Sequence, residues 1–169
     1  MKKGIVVECR RINLTDRSGG KYEIRMCQPH DLAPLMDMYA LFSPRPASQG
    51  LPPEDHEVCT EWTKGLLAIG ENIAAWKGER LIGHAALIPD LQRQSAEFVI
   101  FVHQDFRNLG IGTELAGATL ERAKTLGFRS VWLTVSVTNF IAIRLYLKLG
   151  FQYCDMDDCE RTMIIQLGC

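Results

Sequence analysis

Apolar and polar residues alternate with a period of two in several short segments, and this pattern predicts β-strands. The clearest cases are 22–26 and 130–137, where every second side chain is apolar. The apolar run at 98–102 is typical of a central strand, which is predicted over 97–102. Turn residues at 18–20 indicate a hairpin, so the N-terminus could add a partner to the sheet. Further strands are predicted at 4–8, 72–76, 81–88, 151–153 and 163–167.

A spacing of three to four residues between apolar side chains predicts helices in four other segments. Asp31 and Asn139 stand where N-caps would start the first and last of them, and Gly127 and Gly150 stand where the third and last would end. The prolines within 43–53 instead predict a loop. The predicted helices span 32–41, 53 or 54 to 69, 111–126 and 140–149. Helices that alternate with strands, some of them joined as hairpins, indicate a mixed sheet of the α/β class.

The composition is that of an ordinary globular domain. The chain has 169 residues, 47% of them hydrophobic and 23% charged, with a net charge of −1, so no nucleic-acid partner is expected. No apolar run approaches the length of a membrane span, and the one after Met1 is too short for a signal peptide. The six cysteines and four histidines lack metal-binding spacing, so we expect free thiols in a reducing cytoplasm and no metal.

A short glycine-bearing turn, 107–113, follows the central strand and opens the third helix. A helix start presents backbone N–H groups without partners and the positive end of the helix dipole, which together attract an anion. Gly110 and Gly112 leave these donors uncovered. Leu115 stands where a Rossmann motif needs its third glycine, and no lysine follows Gly112 as a Walker A motif requires. The turn therefore predicts a phosphate or pyrophosphate site of another kind.

Two motifs resemble those of the GNAT superfamily of N-acetyltransferases. The pattern R-x-x-G-x-G from Arg107 resembles the pyrophosphate loop of these enzymes, and N-x-x-A-x-x-x-Y-x-x-x-G-F from Asn139 resembles their later helix. The resemblance covers about 22–167. It implies an α/β fold with a mixed, mostly antiparallel central sheet of six to seven strands and about four flanking helices. The chain would then consist of an N-terminal extension, 1–20, that could add a strand, and a single N-acetyltransferase domain, 21–169.

The resemblance implies acetyl-CoA as the cosubstrate and assigns residues to it. A backbone N–H near Phe101 and Val102, where the family's strand bulges and splays from its neighbour, would polarise the thioester carbonyl. Arg107 would add a charge-assisted contact to the pyrophosphate. Asn139 would both cap its helix and contact the pantetheine or the acceptor. The backbone amides implied to hold the pyrophosphate belong to Asn108, Leu109, Gly110, Ile111, Gly112 and Thr113.

Glu97 is the carboxylate of the central strand and the candidate catalytic base. It lies in an A-E-x-x-x-x-V segment similar to the one in which family members carry a catalytic glutamate. An amine acceptor is mostly protonated at neutral pH, so transfer benefits from a base, and apolar neighbours would raise the pKa of Glu97 toward that role. The alternative is that Glu97 starts the strand at its exposed end, where glutamates are common.

Tyr146 is the candidate proton donor to the departing thiolate, by carry-over from the N-x-x-A-x-x-x-Y pattern. The residues alone also allow a packing role, because Tyr146 lies on one apolar helical stripe with Ala142, Leu145 and Leu149. Both roles stay open at the level of sequence.

Together these features predict an acetyl-CoA-dependent N-acetyltransferase that transfers directly to a primary amine, on a protein lysine or a small molecule. The A-E-x-x-x-x-V strand resembles that of bacterial protein-lysine acetyltransferases, and the loop 43–53 corresponds to the segment that walls their acceptor pocket. The alternative is a catalytically silent acyl-CoA-binding regulatory module. We expect a cytoplasmic protein without nucleic-acid, membrane or metal partners, and a homodimer stays open.

Overall fold

The computed structural model describes residues 11–43, 52–156 and 159–168. Within these residues the chain forms one eight-stranded sheet with helices on both faces. The strands are β1 (Ile12–Thr15), β2 (Lys21–Met26), β3 (Glu71–Lys77), β4 (Arg80–Asp90), β5 (Ser95–Val102), β6 (Ser130–Ser136), β7 (Gln152–Met156) and β8 (Glu160–Gln166). The helices are α1 (Leu32–Ala40), α2 (His56–Ile69), α3 (Ile111–Thr125) and α4 (Phe140–Leu149), with single 3-10 turns at Pro29–Asp31 and Gln104–Phe106.

The strands lie in the order β1-β2-β3-β4-β5-β6-β8-β7, and β5–β6 is the parallel pair in an otherwise antiparallel sheet. The predicted α/β fold with a mixed, mostly antiparallel sheet is thus confirmed. The sheet has eight strands rather than six or seven, because the short strand β1 adds an edge beside β2. The strand predicted at 4–8 lies outside the described residues, and the hairpin partner of β2 is Ile12–Thr15.

The parallel pair β5–β6 is short. Ser95, Ala96 and Glu97 pair with residues 130–132, and the strands share no further pairs although both continue. From residue 98 to residue 102, the edge of β5 that faces β6 therefore has no strand partner. Diverging strands leave a wedge-shaped opening in the middle of the sheet, and this opening positions the candidate site.

The bulge that the family resemblance implied near Phe101 and Val102 is absent. The register of β5 against β4 runs without a shift from Ser95 to Val102. A register shift occurs instead between β3 and β4, at Ala75 and Trp76. The separation of β5 from β6 consequently needs no extra residue in β5, because β5 keeps its full pairing with β4 after its pairs with β6 have ended.

Helices α1 and α2 begin differently from expectation. Asp31 precedes α1 but does not cap it with its side chain. Its carboxylate instead accepts from the Arg25 guanidinium at 2.9 Å and from a backbone N–H three residues earlier at 2.7 Å. Helix α2 begins at His56 rather than at residue 53 or 54, because Asp55 caps it by accepting from the N–H of Val58 at 2.9 Å.

Two apolar clusters, one on each face of the sheet, hold the helices in place. Because side chains alternate along β5, Phe98 belongs to the cluster under α3 and α4, and Phe101 belongs to the cluster under α1 and α2. The predicted inner stripe of α3 is confirmed, since its members are buried: Leu115, Ala116, Thr119, Leu120 and Ala123. The buried residues of the other cluster include Leu35, Met38, Tyr39, Trp76 and Leu81.

A buried chain of polar groups runs beneath α1 and α2 with His84 at its centre. The Nε2 atom of His84 lies 2.9 Å from Oδ1 of Asn72, which can only accept, so Nδ1 is left to accept from the Tyr39 hydroxyl. The Asn72 amide donates to the carbonyls of Leu66 at 2.7 Å and Gly70 at 2.8 Å, at the end of α2. The chain thus ties both helices to β3 and β4 while pairing its buried polar atoms.

Acid should destabilise the protein through His84. Burial lowers the pKa of His84 to about 3, whereas an unfolded histidine titrates near ~6.5. Between the two pKa values, the unfolded chain therefore binds a proton at His84 that the folded chain does not bind. The contribution of His84 to stability is complete above pH ~6.5 and falls by about 1.4 kcal/mol per pH unit as the pH drops toward ~3. Denaturant unfolding at a series of pH values measures this slope.

The variant His84→Gln should be less stable near neutral pH but should lose most of this slope, because an amide does not titrate. His56→Gln is the matched control, since it makes the same change at an exposed histidine outside this buried chain of polar groups. A slope in His84→Gln equal to that of the wild type would contradict the assignment.

Candidate active site

The turn between β5 and α3 contains two left-handed backbone conformations. Asn108 has a φ of 62°, and Gly110, at the N-cap of α3, has a φ of 88°. Glycine adopts a positive φ without a steric penalty, which explains its place at 110. Helix α3 starts at Ile111, so the N–H groups of its first turn lack partners within the helix. The helix start therefore offers the donors and the positive dipole end that an anion requires.

A cavity of about 510 Å³, here called the main cavity, opens beside this turn between β5, α3 and α4. The residues that the sequence proposed and that line it are Phe101, Val102, Arg107, Asn108, Gly112, Asn139 and Tyr146. The other lining residues are Phe42, Ile100, Phe106, Ser136, Thr138, Ile141, Ala142 and Leu145.

Five of the proposed site residues, four for the coenzyme and one for catalysis, do not line the main cavity. Leu109, Gly110 and Thr113 border a second cavity of about 210 Å³. The Ile111 side chain is 1% exposed and belongs to the core under α3, so only its backbone N–H can meet a ligand. Glu97 lines neither cavity.

The main cavity extends along the separation of β5 and β6. Ile100, Phe101 and Val102 border it from the unpaired stretch of β5, and Ser136 borders it from the end of β6. A strand edge without a partner offers its N–H and C=O groups to an extended ligand, much as it would to another strand. The cavity thus joins such an edge to a helix start that attracts anions.

Glu97 stands at the point where the two strands separate. It is the last residue of β5 that pairs with β6, opposite Trp132. Its side chain is partly buried, and burial raises the pKa of its carboxyl group. The strand starts two residues earlier, at Ser95, so Glu97 is not its exposed first residue. Val99 and Phe101, which share its face of β5, pack toward α1 and α2.

Tyr146 combines a packed ring with an accessible hydroxyl. Its ring contacts Phe98 and Phe151, with centroid distances of 6.2 and 5.7 Å. The side chain borders the main cavity, and its hydroxyl has no hydrogen bond to the described residues. Burial raises the pKa of Tyr146, so the group keeps its proton at any physiological pH. The packing role and an active role in the cavity are therefore compatible.

Arg107 folds back over the end of β5. Its Nε donates to the Val102 carbonyl at 2.9 Å, and its guanidinium carbon lies 5.0 Å from the centroid of the Phe42 ring. Burial lowers the pKa of Arg107, yet a guanidinium stays charged in proteins. The side chain therefore places a positive charge at the cavity wall while it holds the end of the unpaired strand.

Asn139 caps α4 as predicted, since its Oδ1 accepts from the N–H of Ala142 at 3.2 Å. The hydroxyls of Ser136 and Thr138 lie 3.0 Å apart just before it, and both residues border the main cavity. Sequence reasoning missed these two, although polar residues between a strand end and a helix cap are common in binding sites. It also missed Phe42, which follows α1 and cannot be told from a core residue by pattern.

Two further observations concern only residues 11–43, 52–156 and 159–168. No three His, Cys, Asp or Glu side chains in these segments are grouped so that they could hold a metal ion. None of the helices there is long and apolar enough to span a bilayer.

Residues 35–151 match the sequence model of the Acetyltransferase (GNAT) family. The match spans more than half of the chain and contains β5, the glycine-bearing turn and α4. The chain belongs to the GNAT acetyltransferase family. The members of this family are acetyltransferases, which are transferase enzymes.

Known acetyltransferases are similar to this chain in part of their sequences. An N-alpha-acetyltransferase of Sulfolobus acidocaldarius is 41% identical over 66 residues, which cover 38% of this chain and 39% of that protein. Curated relatives match this GNAT chain over 27–40% of their own lengths, so each match covers less than half of the relative.

Solved structures share the fold over nearly the whole chain. The GNAT domain of S. lividans PAT has a TM-score of 0.76 at 17% identity, covering 93% of this chain and 97% of that one. The protein yncA of Salmonella typhimurium, solved with its cofactor acetyl-CoA, has a TM-score of 0.68 at 18% identity and covers 87% and 94%. At these identities the likeness concerns the fold.

Gly110→Ala should weaken coenzyme A binding, because its positive φ shapes the turn that presents the α3 amides. An alanine forced into this conformation costs about 1 kcal/mol of stability or relaxes the turn. Calorimetric titration with coenzyme A, alongside thermal unfolding, measures both effects.

Gly127→Ala is the matched control for strain. Gly127 has a φ of 82°, an added Cβ would meet nothing within 4 Å, and the residue follows the far end of α3. This variant should lose a similar stability while binding coenzyme A as the wild type does. Equal coenzyme affinity in both variants would show that the turn at Gly110 is unimportant for binding.

Proposed function

We propose that this protein is an acetyl-CoA-dependent N-acetyltransferase that transfers the acetyl group directly to a primary amine of a protein lysine or a small molecule. One observation carries the proposal: β5 and β6 part after Glu97, and the main cavity opens there beside the start of α3. Family membership and a fold shared with an acetyl-CoA-bound structure support it.

The residues of the main cavity fit the donor. Amides from Asn108 to Thr113 suit a diphosphate, because an unpaired helix start and a glycine at positive φ present donors without an overlying side chain. The unpaired edge of β5 suits the amide groups of pantetheine, which can pair with it as a strand would. Asn139 and the hydroxyl of Thr138 line the facing wall.

Acetyl-CoA supplies, when bound, a thioester carbonyl for the amine to attack and a thiolate to leave. Glu97 would take the proton of the ammonium group, directly or through water, because its raised pKa brings it closer to the acceptor's. The backbone N–H of Val102 points away from β4 and would stabilise the charge that develops on the carbonyl oxygen. The N–H of Phe101 points toward β4 and belongs to that pairing, so it is not available for this role. Tyr146, which stays protonated, would donate its proton to the leaving sulfur.

Direct transfer is favoured over an acetyl-cysteine intermediate. The described free cysteines are Cys27, Cys59, Cys154 and Cys159, and none of them borders the main cavity. Because no described cysteine lies at the opening, we expect the amine and the thioester to meet there together. The two groups would approach from opposite faces of the sheet, since Glu97 faces α1 and α2 while Tyr146 packs with Phe98 on the other face.

The assay that tests the proposal measures thiol release from acetyl-CoA with a panel of acceptors: free amines, polyamines, lysine peptides and peptides with a free N-terminus. We expect turnover with a primary amine and none with its acetylated form. Tight coenzyme A binding without thiol release on any acceptor would overturn the catalytic assignment.

Glu97→Gln should lower kcat/KM by about 100-fold, because a positioned base contributes about that factor or more. In the wild type, kcat/KM should rise with pH as Glu97 loses its proton, through a pKa above the ordinary glutamate value. In Glu97→Gln, kcat/KM should not show this rise with pH. Glu61→Gln is the control, because Glu61 is 73% exposed on α2 and pairs with Lys64. A Glu97→Gln profile that matches the wild type would remove Glu97 from the mechanism.

Tyr146→Phe should reduce kcat by about 100-fold while leaving KM for acetyl-CoA within about twofold, because proton donation is lost and shape is kept. Thermal stability should stay close to that of the wild type, since the phenyl ring retains its contacts with Phe98 and Phe151. Tyr153→Phe, on an exposed tyrosine of β7, serves as control. Full turnover in Tyr146→Phe would show that Tyr146 acts only in packing.

A further inference from the structure

The turn of the N-terminal hairpin lies directly against the glycine-bearing turn. The backbone N–H of Arg17 donates to the carbonyl of Leu109 at 3.1 Å. The Arg17 side chain lies beside Gly110, where a Cβ added to the glycine would stand 3.6 Å from Nε. Both contacts come from residues 15–21, which precede the part of the chain that matches the GNAT family model.

Asp16 holds this hairpin turn in one shape. Its Oδ1 accepts from the N–H of Ser18 at 2.8 Å, from the Ser18 hydroxyl at 2.6 Å and from the N–H of Gly20 at 2.9 Å. Its other oxygen lies 3.7 Å from Nζ of Lys77. These bonds lower the pKa of Asp16, with the Ser18 hydroxyl as the largest cause. A turn held in this way fixes the backbone of Arg17 before any ligand arrives.

The second cavity lies between the hairpin turn and α3. Two cations border it, Arg17 and Lys148 from the last turn of α4, and neither forms an ion pair with a described residue. Gly110 and Thr113 join it to the amides at the start of α3. Two carboxylates also border it: Asp16, whose Oδ1 accepts the three bonds above while its Oδ2 has only Lys77 nearby among the described residues, and Glu114, which is exposed.

We propose that Arg17 and Lys148 bind the 3′-phosphate of coenzyme A, so that the hairpin forms part of the donor site. This inference rests on the proposed function. In the proposed complex the thioester arm lies in the main cavity and the diphosphate binds the α3 amides. The 3′-phosphate then remains to be placed, and the second cavity, which Gly110 and Thr113 border, is the site left for it. Two unpaired cations suit its charge.

Comparison of coenzyme A with 3′-dephospho-coenzyme A by calorimetry tests this assignment. The wild type should bind coenzyme A at least about 10-fold more tightly, the effect expected of a charge-assisted hydrogen bond. Arg17→Gln should weaken coenzyme A binding by about 10-fold and leave binding of the dephospho form within about twofold. Arg17→Gln combined with Lys148→Gln should abolish the preference.

The variant Arg17→Gln keeps the hydrogen bond from the backbone N–H of residue 17 to the Leu109 carbonyl, so the fold should persist. Thermal unfolding checks this. Arg93→Gln, on an arginine 82% exposed in the β4–β5 turn, is the control and should change neither affinity. Equal wild-type affinity for the two ligands, an equal loss for both in Arg17→Gln, or no loss at all would each overturn the proposal. A wild type that binds neither ligand would instead overturn the proposed function.

Discussion

The short pairing of β5 with β6 is the constraint on which the rest of the site depends. Backbone N–H and C=O groups need hydrogen-bond partners, and a central strand usually finds them on both sides. Beyond Glu97, β5 finds them only on the β4 side, and its other edge faces a cavity. Such an edge is stable in a protein interior only where water or a ligand can reach it. The break in the sheet thus leaves backbone groups of β5 facing a cavity, where they are available to a ligand.

This break also connects two halves of the molecule that are otherwise separate. The cluster around Phe98 and Tyr146 lies under α3 and α4, and the cluster around Phe101 lies under α1 and α2. The sheet lies between them, and the main cavity, at the point where β5 and β6 diverge, is bordered by Phe101 from one cluster and Tyr146 from the other. Glu97 stands on one side of the opening and Tyr146 borders the other, an arrangement that suits a reaction between two substrates held apart until they meet.

Much of the fold could be predicted from the sequence, because periodicity reports which face of an element is buried. The alternation in β2 and β6, the stripe of α3 and the glycines that end α3 and α4 all lie close to their expected positions. Helix starts were harder to predict. Asp31 does not cap α1 with its side chain, because Arg25 already occupies its carboxylate, and Asp55 caps α2 one or two residues after the expected start. Caps depend on which partner is near, and sequence does not report that.

The candidate site was predictable where it rests on local geometry and not where it rests on packing. The glycine-bearing turn and the Asn139 cap are local, and each could be recognised from its own residues. The buried state of His84 and the presence of Phe42 and Arg17 near the cavities depend on elements distant in sequence. The predicted acceptor loop, 43–53, lies mostly in residues 44–51, outside the described part of the chain.

The first hairpin has a consequence for where this protein can be shortened. Strand β1 covers the outer edge of β2 through pairs from Ile12 to Thr15. A truncated chain beginning at Tyr22, the boundary that motif matching suggests, would expose that edge, and bare edges recruit strands from other molecules. It would also strip the Leu109 carbonyl of its donor. Removal of the residues before Tyr22, which carry no family motif, would therefore both lower the solubility of the protein and loosen the proposed coenzyme site.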